Sequence, residues 1–135
     1  MGRILTVELK GEVGERWSDA EGVYSICPSL INGKPWWQQE LASNALWYDK
    51  TFQNWKIGDT GDRGGSDCKM FTLRNTARDP PHIATLWKYM INGEWSMYPG
   101  SKITLKIFAV YRIYLNISLI VEFQRWWVLK SKNSA

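Results

Sequence analysis

Cysteine and histidine are scarce in this chain, which contains two Cys and one His among its 135 residues. Two Cys cannot staple a disulfide-dense mini-protein, and a single His cannot build a His-rich metal site. Eleven Gly and five Pro follow no repeating period, which excludes a fibrous repeat. Because hydrophobic residues make up 44% and charged residues 22%, the composition also excludes wholesale disorder. We therefore expect one globular domain.

Catalytic motifs are missing as well. The sequence contains no nucleophile elbow, phosphate loop, zinc-ligand spacing or HExxH. His82 follows Pro80 and Pro81, and no Ser or Cys motif accompanies it. We therefore expect a protein that is not an enzyme and that needs no cofactor.

No secretory leader is visible at the start of the chain. The first ten residues, MGRILTVELK, contain no apolar stretch of the required length and include Glu8. This pattern predicts a cytoplasmic protein or a piece of a larger one. Cys27 and Cys68 are then expected to be free, buried thiols, with a disulfide between them as the alternative if the parent protein is secreted.

Turn residues and acidic residues are both scarce after residue 105. Every Gly and Pro lies at or before Gly100. Residues 1–105 carry 12 basic and 12 acidic side chains, whereas residues 106–135 carry 5 and 1 and so supply the net charge of +4. Because residues 1–105 carry no net charge, they have no excess of positive charge to attract nucleic-acid phosphates. The contrast predicts an aromatic-rich β module over residues 1–106 and an apolar, basic extension over residues 107–135.

The extension is expected to form one regular element over residues 107–129, beginning where the strand ladder ends near Lys106. Its β-branched and aromatic content favours a strand, but roughly twenty residues without a turn favour a helix. We expect the helix, and we expect the body to fold without it.

Aromatic residues are abundant, since the chain contains nine Trp, six Tyr and four Phe. Short apolar or alternating stretches between turn residues predict β-strands. The predicted strands are Ile4–Leu9, Val23–Cys27, Pro35–Gln39, Leu46–Tyr48, Asn54–Gly58, Lys69–Leu73, Thr85–Ile91, Glu94–Tyr98 and Ser101–Leu105. Asn32–Gly33 and Asn92–Gly93 are typical of type I′ hairpin turns, and Gly11–Asp19 is predicted to be a polar connection. The expected fold is mainly β: a small antiparallel β-sandwich or partly open barrel of about seven to eight short strands, with a C-terminal apolar helix or long strand.

Several motifs stand in a fixed order along residues 17–105. They are Gly22-Val23-Tyr24, Asn32-Gly33-Lys34-Pro35-Trp36, Leu46-Trp47-Tyr48-Asp49, Trp55-Lys56-Ile57-Gly58, Pro80-Pro81, Trp87 and Asn92-Gly93-Glu94-Trp95. This ordered set resembles a small aromatic-rich β module that is repeated within large multidomain eukaryotic proteins. The resemblance implies a non-catalytic binding or scaffolding module, and residues 106–135 depart from its pattern.

We interpret the residues shared with this module as scaffold. Trp47, Trp55 and Trp87 are predicted to fill a core that is short of Leu, Ile and Val, since a buried aromatic ring removes about 150–250 Å² from water. Gly22 and Gly58 are predicted to stand at strand ends, where a positive φ or a close approach favours glycine.

Two pairs of adjacent tryptophans are the candidate ligand-binding residues, Trp36–Trp37 and Trp126–Trp127. Adjacent strand residues point to opposite faces, so one ring of each pair is expected to be exposed unless both faces are covered. An exposed Trp suits a protein partner, a sugar ring or a membrane interface. We expect a protein partner or a neighbouring domain, with carbohydrate binding as the alternative and without a nucleic-acid partner.

Two further hypotheses concern single motifs. Asp59, Asp62 and Asp67 lie in a Gly-rich loop, and such a loop offers Ca²⁺ the oxygen ligands that it prefers. Gly2 together with Thr6 matches the N-myristoylation pattern. Acylation of Gly2, or the basic and aromatic residues of the C-terminal extension, would bring the protein to a membrane, which is the second functional alternative.

Overall fold

The structure is a computed structural model that describes residues 2–77, 80, 87–97 and 102–110. Nine strands account for most of these residues. The strands are β1 (Gly2–Lys10), β2 (Gly22–Ile31), β3 (Lys34–Gln39), β4 (Asn44–Asp49), β5 (Asn54–Asp59), β6 (Met70–Thr72), β7 (Trp87–Ile91), β8 (Glu94–Ser96) and β9 (Lys102–Val110). The helix α1 covers Glu12–Arg16, and 3₁₀ turns cover Ser18–Ala20 and Thr60–Asp62.

The strands form one antiparallel sheet in the order β8-β7-β6-β5-β4-β3-β2-β1-β9. Each strand from β1 to β7 pairs with the next one along the chain, and β9 returns to pair with β1. The sheet curls into a half-barrel. The expected mainly β fold is therefore confirmed in its partly open barrel form, and the described residues contain nine strands where about seven to eight were expected.

Strand β9 continues past the predicted end of the ladder. It pairs with β1 along its whole length, from Lys10↔Lys102 to Gly2↔Val110. The prediction that the ladder ends near Lys106 is wrong, and residues 107–110 form strand where a helix was expected, because β1 supplies backbone partners as far as Gly2. Residues 111–129 of the predicted C-terminal element lie outside the described residues, and the division of the chain after residue 106 stays a prediction.

The segment between β1 and β2 is partly helical, where the sequence predicts a polar connection. Helix α1 directs Val13 into the core, where it is fully buried. Gly14 packs against β1, and a Cβ at this position would lie 2.8 Å from the Leu9 carbonyl oxygen. Five residues are too few to establish a helical period, so the sequence pattern favours a connection here.

The two faces of the sheet differ because alternate residues of a strand point to opposite sides. One face carries Leu46, Ile57 and Met70 in register and bounds the hydrophobic core. We call it the core face. The other face carries Trp47, Lys56 and Phe71 in its register, and we call it the second face.

Tryptophan fills much of the interior. Trp37 and Trp55 are fully buried on the core face and meet edge to face, with ring centroids 6.4 Å apart. Trp87 is 6% exposed. Trp47 is fully buried on the second face, where its Nε1–H donates to Gly65 O at 3.0 Å. The predicted burial of Trp47, Trp55 and Trp87 is confirmed.

Both Asn-Gly pairs form the predicted hairpin turns. Asn32 and Gly33 have φ of 53° and 79° between β2 and β3. Asn92 and Gly93 have φ of 52° and 79° between β7 and β8. Positive φ at both central residues is the mark of a type I′ turn, and Asn and Gly tolerate that conformation better than other residues.

The two predicted special glycines are confirmed for different reasons. Gly22 has a φ of 132°, a conformation that residues with a Cβ rarely adopt. Gly58 is needed for a close approach, because a Cβ there would lie 2.9 Å from Cys68 Cα. The segment after β5 can therefore return across the second face directly over this strand.

Candidate binding surface

Exposed apolar side chains are concentrated in β8, in the residues directly after β6 and β8, and in the turn between β4 and β5. Six large hydrophobic side chains are exposed among the described residues, and four of them lie here. They are Phe52, Leu73, Trp95 and Met97, at 59%, 42%, 41% and 47% exposure. Together with the half-buried Phe71 they form what we call the apolar surface.

The strand register explains why the two central rings meet. Phe71 of β6 pairs with Lys56 on one side and with Lys88 on the other, which places all three on the second face. Trp95 lies on the same face because it pairs with Met90, two residues after Lys88 on β7. The rings of Phe71 and Trp95 meet edge to face, with centroids 4.7 Å apart and planes at 71°. The contact joins β6 to the last strand of the sheet.

A turn and a connecting segment complete the apolar surface. Phe52 lies in the turn between β4 and β5, and Leu73 follows β6 directly. The Asn75 backbone N–H donates to Gln53 O at 2.7 Å, which ties the two segments together. This hydrogen bond brings the chain around Phe52 and around Leu73 to the same part of the surface.

A buried lysine lies beside the rings. Lys56 Nζ is 5.0 Å from the ring centroids of both Phe52 and Phe71, close enough for cation–π attraction. The same ammonium lies 3.3 Å from Asp49 Oδ2 and donates to Asn54 Oδ1 at 2.9 Å. Because the Lys56 and Asp49 side chains are only 4% and 3% exposed, the two charges neutralise each other away from solvent. Lys56 therefore holds the rings in place.

Asp49 has hydrogen-bond partners at both carboxylate oxygens. Oδ1 accepts the backbone N–H of Thr51 at 2.8 Å and that of Phe52 at 3.3 Å. Oδ2 accepts the hydroxyl of Ser66 at 3.1 Å. A buried carboxylate with all these partners fixes the turn that carries Phe52, and it does not have the open geometry of a general base.

An unpaired lysine lies beside the apolar surface. Lys88 lies beside Phe71 in the register, and its side chain makes no ion pair or hydrogen bond with any described residue. The same is true of three exposed side chains that stand close in sequence to the apolar residues. These are Lys50, Arg74 and Glu94. The strand register places the unpaired charge of Lys88 directly beside Phe71, which favours a carboxylate on the ligand at this position.

The sequence-predicted tryptophan pair lies elsewhere. Trp37 is fully buried in the core, and Trp36 points to the other face, as the alternation predicts. Trp36 is half buried, its Nε1–H donates to Ser29 Oγ at 3.1 Å, and the Arg63 guanidinium lies 5.3 Å from its ring centroid. The ring of Trp36 is therefore only partly accessible to a ligand. Trp126 and Trp127 lie outside the described residues.

The three predicted calcium ligands are not gathered into a cation site. Asp59 Oδ1 lies 3.1 Å from Lys69 Nζ, Asp62 ends a 3₁₀ turn and Asp67 is exposed. Within the described part of the chain, no group of three His, Cys, Asp or Glu side chains is placed to hold a metal ion.

Gly2, the predicted lipidation residue, is the first residue of β1 and pairs with Val110. His82 lies outside the described residues.

A second polar cluster surrounds Lys69, whose ammonium group, like that of Lys56, is held by carboxylate and amide oxygens. Lys69 Nζ contacts Asp19 Oδ2 at 2.9 Å, Asn44 Oδ1 at 2.7 Å and Asp59 Oδ1 at 3.1 Å. Its side chain is 11% exposed. Three acceptors match the three ammonium protons, so this lysine ties β4 and β6 to the segment before β2.

The two cysteines are free thiols, as the sequence predicts, but they are half buried instead of fully buried. Burial raises the pKa of Cys68 to about 11, and it also raises the pKa of Cys27. Both thiols are therefore protonated near neutral pH, whereas a nucleophilic cysteine needs a lowered pKa.

Comparisons with protein-family models, with curated proteins and with solved structures find no match to this chain. None of the helices among the described residues has both the length and the apolar character needed to cross a membrane.

The sequence patterns did not mark the apolar surface, and Trp95, which belongs to a motif interpreted as scaffold, is 41% exposed. One signal was available, because the β6 region is apolar at both phases of its alternation. Met70 lies on the core face and Phe71 on the second face, and the exposed Leu73 follows the strand directly. A strand that is apolar on both faces must either be covered twice or leave one apolar face exposed.

Proposed function

We propose that this chain is a non-catalytic binding module of a larger protein and that it holds a protein partner through the apolar surface. The observation that carries the proposal is the concentration of exposed large apolar side chains in one place. Large contiguous apolar patches are rare on soluble monomers and mark interaction sites. Trp, Phe and Met are also enriched at protein interfaces, and Trp is a frequent energetic anchor.

The chemistry of the described side chains supports binding over catalysis. Lys56 and Lys69 are held by carboxylates and amides, and both thiols are protonated near neutral pH. A set of rings fixed by a buried ion pair loses little freedom when a partner binds, which lowers the cost of association. Two free thiols suit a reducing compartment such as the cytoplasm.

Carbohydrate binding is favoured less by the geometry of the rings. A sugar ring stacks on a flat and accessible aromatic face. Trp36 is half buried beneath the Arg63 guanidinium, and Phe71 and Trp95 meet at 71° instead of forming one plane. A protein side chain can fill the corner between two such rings.

Selection from a phage-displayed library of random dodecapeptides tests the proposal. Peptides enriched on the full chain should bind the Trp95→Ala variant at least ten-fold more weakly, because an aromatic anchor at an interface is worth about 1.4 kcal/mol or more. Leu41→Ala is the matched control, since Leu41 is 73% exposed and lies outside the apolar surface.

The comparison requires that both variants melt as the unchanged chain does. The enriched peptides should bind Leu41→Ala with unchanged affinity. If no peptide is enriched, or if the enriched peptides bind Trp95→Ala as tightly as the unchanged chain, the proposed binding function is wrong.

A further inference from the structure

Strand β8 is an edge strand of the sheet. β7 pairs with it on one side, and no described strand pairs with its other side. An unpaired edge offers backbone N–H and C=O groups to an extended chain that lies beside it. The edge is also where the apolar surface begins, because Trp95 is the middle residue of β8.

The direction of the Trp95 backbone follows from the turn that precedes it. Ile91 and Glu94 flank the two-residue turn and pair with each other, so they exchange ladder bonds while the next pair, Met90 and Trp95, does not. The Met90 backbone agrees with this alternation, because its N–H donates to Lys69 O on the opposite side, at 3.0 Å. The N–H and C=O of Trp95 therefore point to the free edge.

A strand added beside β8 would place its side chains in a defined order. The residue opposite Trp95 would exchange two hydrogen bonds with it and share the second face. In the antiparallel orientation, which every strand pair of this sheet adopts, the residue two positions earlier would lie beside Met97. Because Tyr89 pairs with Ser96, continuing this register by one residue sets Lys88 of β7 in line with Met97, about 10 Å from the added strand. That distance is within the combined reach of a lysine and a glutamate side chain.

Charge identifies the kind of segment that fits this edge. The unpaired charge of Lys88 would be neutralised by a carboxylate placed near it. The chain's own residues 106–135 carry five basic and one acidic side chains and so have the wrong sign. A second copy paired edge to edge, with Trp95 opposite Trp95, would place Gly93 beside Met97 and so would supply no carboxylate near Lys88.

We infer that the β8 edge binds an extended acidic segment of another protein as an added antiparallel strand, with an apolar side chain beside Trp95 and a carboxylate near Lys88. The inference rests on the proposed function, and it specifies the class of partner and the way in which it is held. In this mode the backbone bonds supply affinity and the side-chain positions supply specificity.

A synthetic peptide, acetyl-Ser-Glu-Thr-Val-Thr-Ser-amide, is a probe with this pattern. Its Val is intended to lie opposite Trp95, and its Glu, two positions earlier, near Lys88. A ¹H–¹⁵N NMR titration of the full chain should shift the Trp95 backbone amide. N-methylation of the Val should weaken binding at least ten-fold, because it removes the hydrogen bond to Trp95 C=O. N-methylation of the Thr before Val is the matched control, since that N–H points away from β8.

A charge exchange tests the contact between the peptide carboxylate and Lys88. The Lys88→Glu variant should bind the probe at least ten-fold more weakly than the unchanged chain does. It should bind a version of the peptide in which Lys replaces Glu. Leu41→Ala should bind both peptides as the unchanged chain does.

Three results would overturn the inference: no shift of the Trp95 amide, equal weakening by the two N-methylations, or no effect of the charge exchange. Binding to phosphatidylserine vesicles that Lys88→Glu abolishes, in the absence of peptide binding, would assign the surface to a membrane instead. The inference and the proposed function can fail separately. If library peptides bind the apolar surface but the N-methylation pattern is absent, the binding function stands and the added strand does not.

Discussion

At the scale of single residues, Gly58 and Gly61 form a natural comparison. A Cβ on Gly58 would lie 2.9 Å from Cys68 Cα and 3.2 Å from the Trp47 ring, whereas a Cβ on Gly61 would have open space around it. We expect Gly58→Ala to lower the free energy of unfolding by about 1–3 kcal/mol, because the backbone of Cys68 must move. Gly61→Ala should stay within about 0.5 kcal/mol of the unchanged chain.

Urea unfolding followed by tryptophan fluorescence measures both variants of this glycine pair. Equal midpoints for Gly58→Ala and Gly61→Ala would show that the segment after β5 adjusts without cost. The close packing over β5 would then not be a constraint on stability.

The buried pair of Lys56 and Asp49 gives a second prediction at this scale. Lys56→Met should lower the free energy of unfolding by about 3–5 kcal/mol, because it leaves an uncompensated carboxylate that is 3% exposed. The double variant Lys56→Met, Asp49→Asn removes both charges and keeps a side-chain oxygen for the N–H groups of Thr51 and Phe52. The double variant should therefore be the more stable of the two.

Chemical denaturation of the single and double variants distinguishes an electrostatic role from simple packing. If the double variant is less stable than Lys56→Met alone, the loss comes from packing around the rings instead of from the unpaired charge. The edge-to-face contact of Phe71 and Trp95 would then not depend on the neutralised pair.

At the scale of elements, the two hairpins share a turn but differ in their surroundings. Asn32 Nδ2 donates to Tyr48 O at 2.7 Å and to Gly64 O at 3.2 Å. Asn92 has a similar φ, and its side chain donates to no described residue. Asn32→Gly should therefore cost about 1–2 kcal/mol of stability through the lost hydrogen bonds, whereas Asn92→Gly should cost less than about 0.5 kcal/mol.

Glycine accepts a positive φ, so both Asn→Gly substitutions keep the turn and isolate the side-chain contribution. Thermal and urea unfolding give the two differences. A loss at Asn92 as large as that at Asn32 would mean that the turn conformation, and not the contact with Tyr48 and Gly64, sets the cost.

At the scale of the whole molecule, β9 is one edge strand of the sheet and pairs with the first strand of the chain, β1. The last four residues of β9, at 107–110, pair with residues 2–5 of β1. We expect a chain of residues 1–106 to unfold cooperatively, and a chain of residues 1–110 to be more stable by about 1–3 kcal/mol, since each cross-strand pair contributes about 0.2–1 kcal/mol.

Urea unfolding of the two truncated chains measures this difference. An absence of cooperative unfolding in residues 1–106 would show that the C-terminal residues belong to the core. Equal midpoints would show that the end of β9 adds no stability.

The turns and strands were accessible from the sequence because they depend on neighbouring residues. Asn32–Gly33 and Asn92–Gly93 occupy a backbone conformation that those residue types tolerate. Alternation with a period of two assigns side chains to faces, and it separated Trp36 from Trp37 correctly. The helix α1 and the end of β9 were missed, since one is too short to show a period and the other is set by a partner strand far away in the chain.

The candidate binding surface was decided by the tertiary structure. Trp47 and Trp95 both lie on the second face, yet Trp47 is fully buried and Trp95 is 41% exposed. The segment that carries Gly65 returns over β4 and accepts the Trp47 N–H, whereas Trp95 stands on the last strand beside Phe71. The sequence by itself determined the face on which each ring stands, because side-chain direction is local. Whether that face is covered depends on segments distant in the chain, so only the folded arrangement decided which tryptophan is left for a partner.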